Sequence, residues 1–384
     1  MLRRPYEADH EAFRAVVREF VAREVVPHQQ RWETEHLVDR HVWVAAGKQG
    51  ILGTPVPEEY GGGGRPDFRF RCVVMEELAR VGAASLSSGF ALQDDIAGPY
   101  VVDLGTPEQK ARWLPPMASG EAVAAIAMTE PGAGSDLQGI RTTAVRDGDA
   151  WVVDGAKTFI TNGIHADLVI VAARTDPDAG PRGLSLLMVE RGMAGFSRGR
   201  RLEKIGLHAQ DTAELFFDRV RVPAGNLIGD VGGGFAHLMD RLPRERMSLA
   251  VQGLAAARAA LEWTVAYTKE RTAFGQPVAA FQNTQFELAE VATELDVLTA
   301  YVDAAVLALD AGELSAVDAA KAKLWATEVQ KRSIDRCLQL FGGYGYMLEY
   351  PIARAYLDAR VQTIYGGTSE IMKTIIARDL TGLR

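Results

Sequence analysis

Ala127-Met128-Thr129-Glu130-Pro131-Gly132-Ala133-Gly134-Ser135-Asp136 stands where the chain changes character. Its proline and two glycines fix an unusual turn. Such turns aim successive backbone N–H groups into a concavity that suits anionic or carbonyl oxygens. Taken alone, the segment is equally a tight loop and a ligand loop. Before it, from Asp9 to about Ser119, apolar residues recur at helical spacing. Phe13, Val16, Val17, Phe20, Val21 and Val25 form one stripe that stops at Pro27. Asp39 is placed to N-cap the next helix, with Trp43 and Val44 on its inner side. Gly61 to Gly64 lacks the spacing and the lysine of a phosphate cradle and reads as a flexible connection.

After the turn, as far as Gly229, the signals are those of strands. Trp151 to Ile160 reads as strand, Asp154-Gly155 turn, strand. Leu168–Ala172, Leu184–Val189 and Glu214–Val222 are further strands, separated by Pro, Gly and Asp clusters, and predict a small β domain, either a barrel or packed sheets. From Gly232 helices return. Phe235 to about Lys269, Phe281–Leu309 and Ala316–Phe341 are long enough to form a bundle. Pro243 kinks the first of them or marks its real start. The predicted organisation is helical over 1–119, β over 120–231 and helical again over 232–384, an α+β fold.

Composition sets the outer bounds. The 384 residues are 47% hydrophobic and 24% charged, with a formal net charge of −8. No basic run with interleaved aromatics points to nucleic acid, and no apolar stretch reaches membrane-spanning length. Arg3 and Arg4 have no apolar segment behind them, so no signal peptide is expected. Cys72 and Cys337 are far apart, make no metal pattern and read as buried thiols of a reducing, cytoplasmic compartment.

Chemistry is concentrated in a few short segments. In Leu242-Pro243-Arg244-Glu245-Arg246-Met247, Leu242, Glu245 and Leu249 share one helical face that is otherwise apolar. A carboxylate pressed into such a face loses hydration, so its pKa rises toward neutral, and it becomes able to take a proton from carbon. A solvated helix glutamate is the competing reading. Phe159-Ile160-Thr161-Asn162-Gly163 ends a strand. Arg271-Thr272-Ala273-Phe274-Gly275 ends a helix, where an arginine also complements the helix C-terminus. Gln339-Leu340-Phe341-Gly342-Gly343-Tyr344-Gly345 is a glycine C-cap, or a place where a flat ligand approaches the backbone. Ile364-Tyr365-Gly366-Gly367-Thr368-Ser369-Glu370 leads into the last helix, which Thr368 or Ser369 can cap.

Taken together and in this order, A-M-T-E-P-G-A-G-S-D, T-F-I-T-N-G, R-T-A-F-G-Q, Q-L-F-G-G-Y-G and I-Y-G-G-T-S-E-I-M make the chain resemble the acyl-CoA dehydrogenase family over nearly its whole length. The resemblance implies an N-terminal helical domain, a middle β-barrel domain and a C-terminal four-helix bundle. It also implies bound FAD, an acyl-CoA substrate, a homotetramer and an electron-transfer flavoprotein as acceptor. By the same resemblance Met128, Thr129, Gly134 and Ser135 run along the flavin and its pyrophosphate. Phe159 packs on the ring where many members have Trp, and Thr161 meets its reactive edge. Arg271, Phe274, Gln282, Gln339, Gly342 and Gly343 reach the FAD of a neighbouring subunit, while Thr368 and Glu370 contact the subunit's own. Ser135, Arg246, Tyr365 and Gly366 resemble substrate contacts, Arg246 toward the CoA nucleotide.

Many members carry the catalytic base in an I-Y-E-G-T loop, where this chain has Gly366. A minority, the long-chain and isovaleryl types, place it on the helix, as L-P-R-E-R-M with Glu245 does here. The resemblance therefore implies Glu245 as α-proton base and the Gly366 backbone N–H as a contact to the thioester carbonyl. It leaves open an oxidase of the same fold, a carrier-protein thioester in place of CoA, and a non-catalytic homologue. Gln93, Asp94 and Asp95 fall where the family lines part of its acyl pocket. As residues they read as caps or solvent-facing groups, or as the sign of a polar acyl chain.

Overall fold

The computed structural model describes residues 5–383; Arg3 and Arg4 lie outside them. The helical first region contains α1 (Ala8–Phe20), α2 (Gln29–Glu35), α3 (His41–Lys48), α4 (Phe68–Arg80), α5 (Ala84–Ala91), α6 (Gly98–Leu104) and α7 (Pro107–Ala118). Of the stripe predicted from Phe13 to Val25, Val17, Phe20, Val21 and Val25 are buried while Val16 is exposed, and the last turn, Val21–Val25, winds as a π-helix. Asp39 does not cap α3; it pairs with Arg31 instead, and α3 starts without a side-chain cap. The Gly61–Gly64 segment is held by backbone bonds from Gly63 N to the Gly53 carbonyl (3.0 Å) and from Gly64 N to that of Val56 (2.9 Å), so it is a fixed turn. Cys72 and Cys337 are both buried.

The middle region holds β1 (Ala124–Ala127), β2 (Thr143–Asp147), β3 (Ala150–Thr161), β4 (Leu168–Arg174), β5 (Leu184–Glu190), β6 (Phe196–Arg201), β7 (Thr212–Pro223) and β8 (Leu227–Ile228). They pair in the order β6-β7-β3-β2-β4-β5-β8, with β1 parallel to β4. Alternation along β4 sorts its side chains to two cores. Leu168, Ile170 and Ala172 pack with Tyr100, Trp113 and Met117 of the first region. Val169, Val171 and Ala173 meet Trp151, Val153, Leu215 and Phe217, where the sheet folds back on itself. The expected Asp154-Gly155 turn is absent: β3 runs through it, and the register with β7 shifts there. Gly155 sits at the bulge because a β-carbon would lie 2.4 Å from the Thr142 hydroxyl.

The third region is α8 (Gly234–Glu270), the small hairpin β9–β10 (Thr272–Ala273, Gln276–Pro277), α9 (Gln282–Asp310), α10 (Ala316–Phe341), α11 (Pro351–Ala359) and α12 (Ser369–Thr381). Pro243 lies inside α8, nine residues past its first, so it does not mark the start. Met247, Ala250, Leu254, Leu295, Val302 and Ala326 join the long helices into one apolar core that also takes in Phe68 and Met75 of α4. No helix among the described residues is long and apolar enough to cross a membrane.

Between α5 and α6 the chain makes a π-turn, Leu92–Ala97. Such turns recur at functional sites because the extra residue re-aims side chains. Here it turns Gln93, Asp94 and Asp95 inward, each no more than 3% exposed, contrary to their reading as caps or solvent-facing groups. Gln93 bonds the Met117 carbonyl (2.7 Å) and accepts from Ala124 N (2.9 Å), tying the helices to β1. Asp94 and Asp95 both pair with buried Arg71 of α4, at 3.1 and 2.8 Å. That partner, 24 residues before Asp95 in sequence, is what makes their burial tolerable.

Candidate active site

Glu245 is 4% exposed on α8. The Tyr100 hydroxyl of α6 donates to its Oε1 at 3.1 Å. Burial pushes the carboxyl up to about 7 from an ordinary 4.5, while Tyr100, Arg246 and Arg241 restrain the rise. Tyr100 is itself fully buried, beneath the Arg241 guanidinium, which lies 5.3 Å from its ring centre. Arg246 is buried beside Glu245, and its Nε finds no acceptor among the described residues. One turn on, Ser248 donates to Asp95 at 2.9 Å, so the inward-turned carboxylates brace the helix that carries Glu245.

The loop 365–368 faces this part of α8. Gly366 has φ +63°, and a β-carbon there would stand 2.3 Å from Cδ1 of Leu249, one turn beyond Glu245. Gly367, at φ +98°, is likewise underlain by Met372 at 2.6 Å. The predicted cap is present: Thr368 Oγ1 accepts from Ile371 N at 3.3 Å. Two side chains of α10 hold the loop. Lys323 Nζ donates to the Gly367 carbonyl (2.7 Å) and Glu328 accepts from Ser369 (2.8 Å). Tyr100, Leu249 and Lys323 carried no motif of their own in the sequence.

On the other side, the 127–136 turn is anchored by a buried pair, Lys157 to Glu130 at 2.9 Å, and Lys157 also bonds the Met128 carbonyl (3.0 Å). Burial lowers Lys157 to about 8. Thr158 N bonds the Thr129 carbonyl at 2.9 Å, which brings Met128 and Thr129 alongside Phe159. Phe159 is 66% exposed on left-handed backbone, φ +59°. Nothing occupies the space a β-carbon would take at Gly134, and Ser135 is exposed. Gln210 donates to both Thr161 (3.2 Å) and Ser88 (2.8 Å), and the buried Tyr365 hydroxyl has no hydrogen-bond partner among the described residues.

The remaining candidates lie elsewhere. Arg271 is 26 residues along α8 from Glu245, about 39 Å at the helical rise. Arg271 stacks on Tyr344, 5.6 Å from its ring centre. Phe274 is 97% exposed, Gln282 and Gln339 face solvent, and Gly342 and Gly343 open onto empty space. Glu370 lies exposed in the first turn of α12. No cluster of His, Cys, Asp and Glu among the described residues could hold a metal.

Profiles of the acyl-CoA dehydrogenase N-terminal, middle and C-terminal domains match residues 7–121, 125–220 and 232–381. The chain belongs to the acyl-CoA dehydrogenase family. It is 48% identical over 99% of its length to the mitochondrial long-chain specific acyl-CoA dehydrogenase of Sus scrofa, covering 88% of that protein. Against the crystal structure of an acyl-CoA dehydrogenase from Geobacillus kaustophilus the TM-score is 0.96, with 50% identity and 99% and 100% of the two chains covered. The mitochondrial isovaleryl-CoA dehydrogenase of Solanum tuberosum is 35% identical over 98% of this chain and 91% of its own. Acyl-CoA dehydrogenases are oxidoreductases of fatty acid β-oxidation and use FAD. The residues present fit that cofactor: an outward-facing phenylalanine on constrained backbone, a glycine turn with open flanks, and a threonine hydroxyl at the strand end.

Proposed function

We propose that Glu245 is the base of an acyl-CoA dehydrogenase that removes the α-proton of a long straight or branched acyl thioester to give the trans-2-enoyl product. The observation that carries this reading is a fully enclosed carboxyl with its pKa near 7, opposite a loop whose glycine leaves no second carboxylate. At neutral pH such a group is partly ionised and strong enough to take a proton from carbon, which an ordinary glutamate is not. As the proton leaves, charge grows on the thioester oxygen, and a fixed backbone N–H at Gly366 stabilises it without reorganisation. Bound FAD supplies the acceptor for the β-hydride. Met128, Thr129, Gly134, Ser135, Phe159, Thr161, Thr368 and Glu370 are assigned to hold it within the subunit. Arg246, with an unmatched buried N–H, suits the anionic end of CoA, and Ser135 and Tyr365 complete the substrate contacts.

A cavity lies further along the same face of α8, lined by Met75, Ser87, Gln252, Ala256, Gln330 and Gln362 among others. Gln252 is seven residues from Glu245, about 10 Å of helix. The Arg271–Phe274 end, Gln282, Gln339, Gly342 and Gly343 are assigned to the FAD of a second subunit within a homotetramer, since one chain cannot bring them to its own Glu245. An electron-transfer flavoprotein is the proposed acceptor. Anaerobic titration with acyl-CoAs of graded length tests the reading: Glu245→Gln is expected to keep FAD and bind ligand while flavin bleaching disappears. Near-normal bleaching in the variant overturns Glu245 as base. Rapid reoxidation in air with peroxide release overturns the flavoprotein acceptor.

A further inference from the structure

Lys323 is fully buried on α10. Its ammonium donates to the Gly367 carbonyl at 2.7 Å, and burial lowers its pKa to about 8. Taking an ammonium out of water is costly, and one neutral carbonyl is a modest return. The loop it bonds explains the placement better than stability does. Gly366 and Gly367 both occupy positive φ and have no side chains to lock them, so their backbone is free to reorient unless something outside the loop fixes it. Leu249 and Met372 fill the space beneath each glycine, and Ser369 is tied to Glu328. The Gly367 carbonyl is the point at which the middle of the loop is fastened. The groups around the ammonium are Arg246 on α8, Glu328 on α10 and Glu370 on α12.

We propose that Lys323 is a positioning residue for the dehydrogenation, holding the Gly366–Gly367 backbone so that the Gly366 N–H stays aimed at the thioester oxygen while charge develops there. This rests on the reading of Gly366 given above and adds a residue to it. The lysine touches neither substrate nor flavin and acts through the loop.

The test uses the holoenzyme with Lys323→Met and Lys323→Arg. It measures FAD content, steady-state kinetics, and the carbonyl stretch of a bound enoyl-CoA by difference Raman spectroscopy. For Lys323→Met, FAD is retained and KM stays within about threefold, because uniform binding is little changed. Its kcat falls on the order of tenfold, less than the hundredfold or more seen when an oxyanion donor is removed outright. The carbonyl band moves to higher wavenumber as polarisation is lost. Lys323→Arg keeps the charge on a longer head and recovers part of both effects. An unchanged kcat in Lys323→Met, or a lowered kcat with the band unmoved, overturns the proposal, the second result marking a role in the fold alone. If Lys323→Met does not fold, the arginine variant decides: kcat and band moving together support the proposal, and an unmoved band overturns it. Unaltered enzyme that no acyl-CoA bleaches overturns the underlying reading together with this one, whereas bleaching with an unmoved band overturns Lys323 alone.

Discussion

The two ends of α8 differ in how much of their surroundings one chain supplies. At Glu245 everything is closed: Tyr100 bonds the carboxyl, Leu249 fills the space under Gly366, and Asp95 braces the next turn through Ser248. At Arg271 almost nothing is: Phe274 stands 97% exposed, and Gly342 and Gly343 open onto empty space. A single exposed aromatic is ordinary on a protein surface, so the bareness of Phe274 sets the two ends apart without by itself calling for a partner. On the proposed function, the proton chemistry belongs to one chain and cofactor retention to the assembly.

The first way to break this comparison is at the closed end. Glu245→Gln is expected to lower kcat by about 10²–10⁴-fold, the range for losing a general base, with FAD content and assembly unchanged. Substrate-driven flavin bleaching and sedimentation check the two halves of that statement. Next comes a mixing experiment. Arg271→Ala with Phe274→Ala is expected to lose FAD by itself. Refolded together with Glu245→Gln, it should regain about a quarter of the sites, because in half of symmetric dimers one site receives an intact residue from each chain. No recovery above the two separate variants argues that the open end does not serve a neighbour's cofactor.

Smaller effects sharpen the closed end. Gly366→Ala forces a methyl into Leu249 on left-handed backbone, with an overpacking cost of about 1–3 kcal/mol. Adding Leu249→Ala should return part of the lost thermal midpoint and turnover, and no rescue argues against this contact. Last is Tyr100→Phe. The hydrogen bond favours the ionised form of Glu245, so removing it raises the pKa above about 7. The base must be ionised to act, so the acid limb of the kcat/KM profile should move to higher pH, by about one unit for a bond to a charged group. A limb that stays in place denies Tyr100 this influence.

Long periodic segments were legible in the sequence. Ala316–Phe341 was predicted to the residue, and α8 and α9 to within a residue or so, since a 3.6 period over many turns admits few registers. Glu245 was legible as a carboxylate on an apolar face, and its raised pKa follows from that placement. Tyr100, which bonds it, was not, because a contact 145 residues away leaves no local pattern. Asp94 and Asp95 were misread for the same reason: their partners, Arg71 with Gly53 and Ser248, lie on other segments. Asp154-Gly155 has the composition of a hairpin turn, yet its glycine answers a close approach by Thr142 across the sheet. In each case the partner that decides a residue's use lies far away in sequence and leaves no local pattern.

Leu249 carries a consequence for descent. Its methyl group occupies the place of a β-carbon at position 366, where the backbone also disfavours any side chain. A side chain added at 366 meets Leu249 Cδ1 and takes up left-handed backbone, so a second carboxylate there calls for Leu249 to shift as well. Under the proposed function, a smaller residue at 249, at some loss of packing, eases a shift of the base from 245 to 366. The two placements are thus coupled through Leu249, which gives a physical reason for placement of the base to persist along a branch.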